Sequence, residues 1–154
     1  MKVFTVTFIG HRFIDCYNDV EKKLEEILEP LFFEKEYLCF YVGRNGECDQ
    51  IVASTVRRLK KRLRNDNSSL IWAIPYITAD YRENEELYLS YYDEVELFNE
   101  LYRCHPKSAI QKRNRLMIDK ADLVVAYVKT SSGGAYQSLR YARRIEKETI
   151  NIAE

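Results

Sequence analysis

The chain has 154 residues, with 24 Lys and Arg balanced by 24 Asp and Glu, so its formal net charge is zero. A chain of this length buries roughly 68–70% of its unfolded surface and needs no disulfide or metal to hold a core. Neutral charge argues against a dedicated nucleic-acid binder, whose domain is usually basic, and the first apolar run is too short for a membrane span and lacks a signal-like cleavage site. A single cytoplasmic, soluble domain over residues 1–154, with no membrane partner, is the expectation. Cys16, Cys39, Cys48 and Cys104 form no CxxC pair, so reduced structural thiols are expected rather than a zinc site. Cys104-His105 supplies only half of a metal site.

Residues 2–9, KVFTVTFI, are β-branched and aromatic and read as a strand. The run is too continuous for a one-sided strand, so it belongs in the centre of a covered sheet. Asn18 and Glu21 form a capping-box-like start to a helix, whose stripe is Val20, Leu24, Ile27, Leu28 and Leu31 and whose end is marked by Pro30. YLCFYV, 37–42, is a second buried strand that stops at Gly43. After GRNGECD comes a helix with Val52, Val56, Leu59 and Leu63 on one face, closed by Asn65-Asp66-Asn67. SLIWAIPY, 69–76, is the third strand. Residues 77–106 are acidic and tyrosine-rich without a clean period, and read as loop with one helical turn. Within them YDEVELF, 92–98, alternates like a short strand. A helix follows over SAIQKRNRLMIDKA, then the strand ADLVVAYV, 121–128, a break at SSGG, a helix over AYQSLRYARRIEKE and a last strand, TINIA. Alternating strands and helices define an α/β fold with a mostly parallel sheet.

Three glycine-bearing loops leave strands. They are Gly10-His11-Arg12, the stretch from Gly43 to Asp49, and Ser131-Ser132-Gly133-Gly134. In a parallel sheet all three fall at the carboxyl edge, where ligands bind. Glycine admits close backbone approach, and the following helix N-termini favour negative charge. Arg12 and Arg44 are suited to phosphate oxygens, and Ser132 can donate a hydroxyl. The loops together predict an anion site, although each alone could be a tight turn. Arg113-Asn114 adds a polar pair in the middle of a helix, where asparagine is a poor helix former.

GHR after the first strand, the GxxGxD of GRNGECD, RNxxM from Arg113 to Met117, ADLVVAYV and SGGAYQSLRYA occur in one order over residues 4–142. This ordered set resembles the SLOG superfamily of Rossmann-like domains and, within it, the YpsA-like branch. The resemblance implies a three-layer α/β/α sandwich of strand order 3-2-1-4-5-6, with YDEVELF a true strand. It implies a bacterial or phage protein that binds a nucleotide or nucleotide-derived signal against Gly10, His11, Arg12, Gly43, Gly46, Asp49, Arg113, Asn114, Ser132, Gly133 and Gly134. Arg44 joins that list on the loop chemistry above. Related lysine-decarboxylase-like phosphoribohydrolases carry PGGxGTxxE. Here SGGAYQSLRYA has neither that threonine nor that glutamate, and Tyr136 stands where YpsA-like members often have threonine.

The leading expectation is a sensor or regulatory module for a small nucleotide-derived ligand, such as a nucleotide or ADP-ribose-like molecule, with no certain cofactor and no metal. The alternative is an enzyme cleaving or transferring at an N-glycosidic bond, for which a carboxylate is needed. Glu47 and Asp49 are its candidates, with His11 as general acid or base. Asp49 serves equally as a ribose acceptor or a helix cap, whereas for His11 a simple hydrogen-bonding role is the preferred reading. A further alternative is single-stranded DNA binding, as in the related DNA-processing protein family, through VRRLKKRLR at 56–64. A solvated helix face accounts for those cations fully and is the preferred reading, so nucleic acid is the less favoured partner. Six of the 12 tyrosines lie in residues 76–102, which suits a lid over the ligand or a partner surface. A homodimer stays open.

Overall fold

Apolar side chains on both faces of the first strand need cover on both sides, and the fold supplies it. The computed structural model describes residues 1–98 and 105–154. Among these, six strands form one sheet: β1 (Val3–Gly10), β2 (Tyr37–Val42), β3 (Ser68–Ile74), β4 (Glu94–Leu97), β5 (Leu123–Tyr127) and β6 (Glu148–Asn151). The helices are α1 (Tyr17–Glu34), α2 (Glu47–Arg62), α3 (Ala79–Glu83), α4 (Glu85–Tyr91), α5 (Pro106–Lys120) and α6 (Gly134–Arg144). Val6 and Phe8 of β1 point into a core shared with α1 and α2. Ile9 points the other way, into a second core with Ile118 of α5 and Leu139 and Ala142 of α6. The result is a three-layer α/β/α sandwich.

The strand order is 4-3-2-1-5-6, and every pairing is parallel. The predicted run 3-2-1 is present, as are β5 and β6 on the far side of β1. The expected order 3-2-1-4-5-6 differs in one strand. YDEVELF is a true strand, but Glu94–Leu97 pairs with Ile71–Ile74 at the edge beside β3. Its connection from β3 is only two short helices, so β4 stays next to β3 and leaves β5 to pair with β1. The chain therefore winds outward from β1 in one direction and resumes at β5 in the other. The gap between the ends of β1 and β5 is the topological switch point.

Three local expectations are corrected. The first helix begins at Tyr17 with Cys16 at its cap, and no side chain caps it, so the Asn18–Glu21 box does not form. Pro30 does not end α1, which continues to Glu34. The extra turn buries Phe32 completely against Phe40, ring centroids 5.6 Å apart, and this packing outweighs the missing proline N–H. The tyrosine-rich segment holds two helices, α3 and α4, rather than one turn. Thr78 caps the first by accepting from the Tyr81 N–H at 3.1 Å, and the rings of Tyr81 and Tyr88 pack on Trp72. The Cys104 half of the Cys104-His105 pair, and Tyr102, lie outside the described residues. Cys16, Cys39 and Cys48 are free thiols. Among the described residues no helix is long and apolar enough to cross a membrane.

The end of β1 and the start of α2 meet without room for another side chain. A Cβ at Gly10 would lie 2.0 Å from Cys48 Sγ and 2.5 Å from its Cβ. Cys48 is buried and cannot swing away. Gly10→Ala is expected to destabilise the fold by roughly 1–3 kcal/mol, the usual cost of overpacking. A melting temperature several degrees below wild type is the outcome that checks it; an unchanged one would mean that α2 is free to shift.

Candidate functional site

A cleft of about 320 Å³ opens at the switch point. Its floor is Phe8, Ile9 and Gly10 at the end of β1. Arg12, Asn45, Gly46 and Asp49 form one wall, at the start of α2. Gly134 and Ala135, at the start of α6, face Gln111, Arg113 and Asn114 of α5. Two helix N-termini, each with unsatisfied N–H groups in its first turn, thus share one space with two arginines.

Arg113 is the unusual member. It is 3% exposed. Its Nη1 donates to the Ala73 carbonyl at 3.3 Å, and its Nε and Nη2 donate to Asn114 Oδ1 at 3.2 and 2.9 Å. Among the described residues no carboxylate lies within ion-pair distance, 4.0 Å, of its guanidinium. Burial pulls its pKa down, and the more distant Asp49 charge offsets this only in part. Gly43 makes the placement feasible, because a Cβ there would stand 2.8 Å from Arg113 Nη2. Asn114 answers the question raised by a mid-helix asparagine: it accepts from Arg113 and faces Ser138 at 3.5 Å.

Arg12 is exposed at the mouth of the cleft, and no hydrogen bond or ion pair holds its guanidinium among the described residues. Its carbonyl accepts from the Glu47 N–H at 2.8 Å. Gly46 lets the two segments touch, since a Cβ there would fall 2.5 Å from Arg12 Cα. Asp49 Oδ2 accepts from the Asn45 N–H at 2.8 Å, which holds the loop as a cap does. Burial raises the Asp49 carboxyl above its ordinary range, against the opposing effects of that N–H and of Arg113.

Other predicted residues stand elsewhere. Glu47 does not line the cleft; its Oε2 accepts from the Ile14 N–H and pins the β1–α1 loop. His11 is on the cleft wall, but its Nε2 accepts from the Lys129 N–H at 2.8 Å, tying the β1 loop to the β5 loop. That contact requires Nε2 to be unprotonated. Arg44 turns away, donating to Tyr92 Oη at 3.2 Å and lying 5.1 Å from the Tyr88 ring centroid. Ser132 and Gly133 stand outside the cleft lining. Gly133 takes φ +96° at the cap of α6, a conformation that favours glycine.

Asn45, Ile110, Gln111 and Met117 line the cleft and were not expected to. Ile110, Arg113, Asn114 and Met117 follow helical spacing on one face of α5, which is the signal that would have found them. The cations of VRRLKKRLR are largely engaged: Arg58 pairs with Glu21 and Glu25, Arg62 with Glu29, Lys60 with Asp93 and Arg64 with Asp66.

No protein-family model matches the chain, and no curated protein matches it in sequence. Solved structures do share its fold. DNA processing protein A from Streptococcus pneumoniae superposes with a TM-score of 0.68 at 15% identity, over 96% of this chain and 49% of that one. DNA processing protein A from Helicobacter pylori, described with a single-stranded DNA binding mode, gives 0.63 at 16% identity, over 95% of this chain and 63% of that one. The chain therefore spans between about half and two thirds of the length of these neighbours. At these identities the likeness establishes the Rossmann-like fold.

A carboxyl whose pKa is raised by folding favours the native state in its protonated form. That stabilisation is full below the unfolded pKa and is lost as pH rises through the folded one. The native fold should thus weaken relative to Asp49→Asn as pH climbs from the ordinary carboxylate range through the raised pKa of Asp49. Melting temperatures of both proteins across mildly acidic pH check this. A wild type that gains on the variant with rising pH would contradict it.

Proposed function

We propose that this protein binds a small phosphate-bearing ligand, a nucleotide or a nucleotide derivative such as an ADP-ribose-like molecule, in the switch-point cleft, and that it acts as a sensor or regulatory module. The observation that carries the reading is Arg113. A buried guanidinium without an ion partner is costly, and the cost is offset when an anion binds beside it. The N-termini of α2 and α6 favour the same charge, and Arg12 at the mouth is free to close on it. Asp49 would receive ribose hydroxyls. The lining has few groups for bond cleavage, since Glu47 is engaged with Ile14 and His11 Nε2 with Lys129. Asp49 is left as the carboxylate for the hydrolase alternative.

Single-stranded DNA is the second reading. It draws on the neighbour described with that binding mode and on the same cleft, where a backbone phosphate would meet Arg113. The α2 cations support it less, because Glu21, Glu25 and Glu29 of α1 offset them.

Removing a buried charge relieves its desolvation cost. Arg113→Met also takes the donor from the Ala73 carbonyl and from Asn114 Oδ1, which costs about 1–3 kcal/mol. The diagnostic readout is therefore the ligand-induced shift: the variant should lose the stabilisation that nucleotides confer. Wild type at 100 times the dissociation constant should gain about 2.7 kcal/mol. Arg12→Ala should fold normally and bind more weakly. A thermal-shift screen with nucleotides, ADP-ribose and a short single-stranded DNA, followed by product analysis, checks all of this. Full nucleotide stabilisation of Arg113→Met would overturn the assignment of the site.

A further inference from the structure

A second, smaller recess of about 130 Å³ lies directly behind Arg113. Trp72, Pro75, Tyr76 and Tyr81 line it, and Asn45 and Arg113 belong to the walls of both spaces. The cleft and the recess are therefore adjoining chambers divided by one guanidinium and one amide. Their chemistry differs sharply. The cleft has two helix N-termini with Arg12 and Arg113; the recess has ring and proline faces beside Arg44 and Arg113. Together the two volumes fall within the ~300–1,000 Å³ typical of small-ligand sites.

The recess is built by packing that the fold alone does not demand. Trp72 projects from β3, and Tyr81, Tyr88 and Tyr92 surround it, with ring centroids 5.8, 4.9 and 5.3 Å away. Arg44 lies over Tyr88, bonds Tyr92 and lines the recess beside them. The short helices that carry Tyr81 and Tyr88 bury no residue fully. Their rings pack on Trp72 of the sheet, so a flat guest in the recess would lie against aromatic faces.

We infer that the recess is the subsite for the aromatic base of the ligand whose phosphate sits against Arg113. The inference rests on the proposed phosphate site and adds the ligand's other end. Every base has a π face, so ring stacking recognises the class without selecting one member. The Asn45 amide on the shared wall can meet polar groups at the base edge. Arg44, reserved by its sequence position for phosphate, belongs instead to the walls of the base subsite.

Trp72 is the only tryptophan in the chain and lines the recess, so its emission reports on that wall with no second tryptophan contributing. The test titrates the full chain with ribose 5-phosphate and with AMP, GMP, CMP and UMP, following heat and tryptophan fluorescence together. At least one nucleotide should bind about tenfold tighter than ribose 5-phosphate, the order of one base–aromatic stack, and should change Trp72 emission. Ribose 5-phosphate should bind without that change. Tyr81→Ala should remove the nucleotide's advantage and leave ribose 5-phosphate affinity as it was, while Tyr81→Phe should keep both. Equal affinities with silent fluorescence would overturn the base subsite and leave the phosphate site standing. Absence of binding by every probe would overturn both.

Discussion

A guanidinium enclosed by protein, with no counter-ion among the described residues, is the constraint around which this site is arranged. Arg113 reaches from α5 across the end of the sheet to the carbonyl of Ala73 on β3. Its path requires a glycine at 43, an asparagine at 114 to receive it, and an acid at 49 close enough to ease its charge but not to neutralise it. Electrostatics in a poorly hydrated site are strong in both directions. The same surroundings that make the charge costly would make it effective toward the anion we propose.

The remaining architecture follows from how the chain reverses at β1. A parallel sheet leaves its catalytic or binding potential at its carboxyl edge, and the reversal between β1 and β5 opens that edge. Close contact between the β1 loop and α2 then shapes the opening. Gly10 yields to Cys48 and Gly46 to Arg12, so these glycines are explained by the chain's own packing before any ligand is considered. His11 and Glu47 serve the same end, one holding the β5 loop and the other the loop before α1. The rim is tied further by Tyr127, whose phenol bonds Asp15 and Cys16 and is pushed up to about 12, first by burial and then by the Cys16 thiol.

Much of the fold was legible from residue order. Continuous β-branched runs such as TVTFI and LVVAY read as central strands, and strands alternating with amphipathic helices favour a parallel sheet. The edge strand Glu94–Leu97 was half visible in its alternation, but its place beside β3 depends on connection length, which carries no hydrophobic signal. The helices α3 and α4 were hidden because their rings pack on a tryptophan distant in sequence rather than following a period. Pro30 misled because burial of Phe32 prevails over a local breaker. At the candidate site, glycines and arginines marked loops that border the cleft, and Arg113-Asn114 was noticed. What sequence could not reveal is direction: Arg12 stays at the cleft, whereas Arg44 turns to the tyrosines. Gln111 and Asn45 were missed because a polar residue on a helix or in a loop ordinarily faces water.

The central claim is that the buried Arg113 charge exists to meet an anion. The most direct measurement is a crystal structure of the protein soaked with the nucleotide that stabilises it most. The account predicts a phosphate group within hydrogen-bond distance of the Arg113 guanidinium, between the N-termini of α2 and α6. A nucleotide bound elsewhere, with only water or a side chain of the protein beside Arg113, would contradict it.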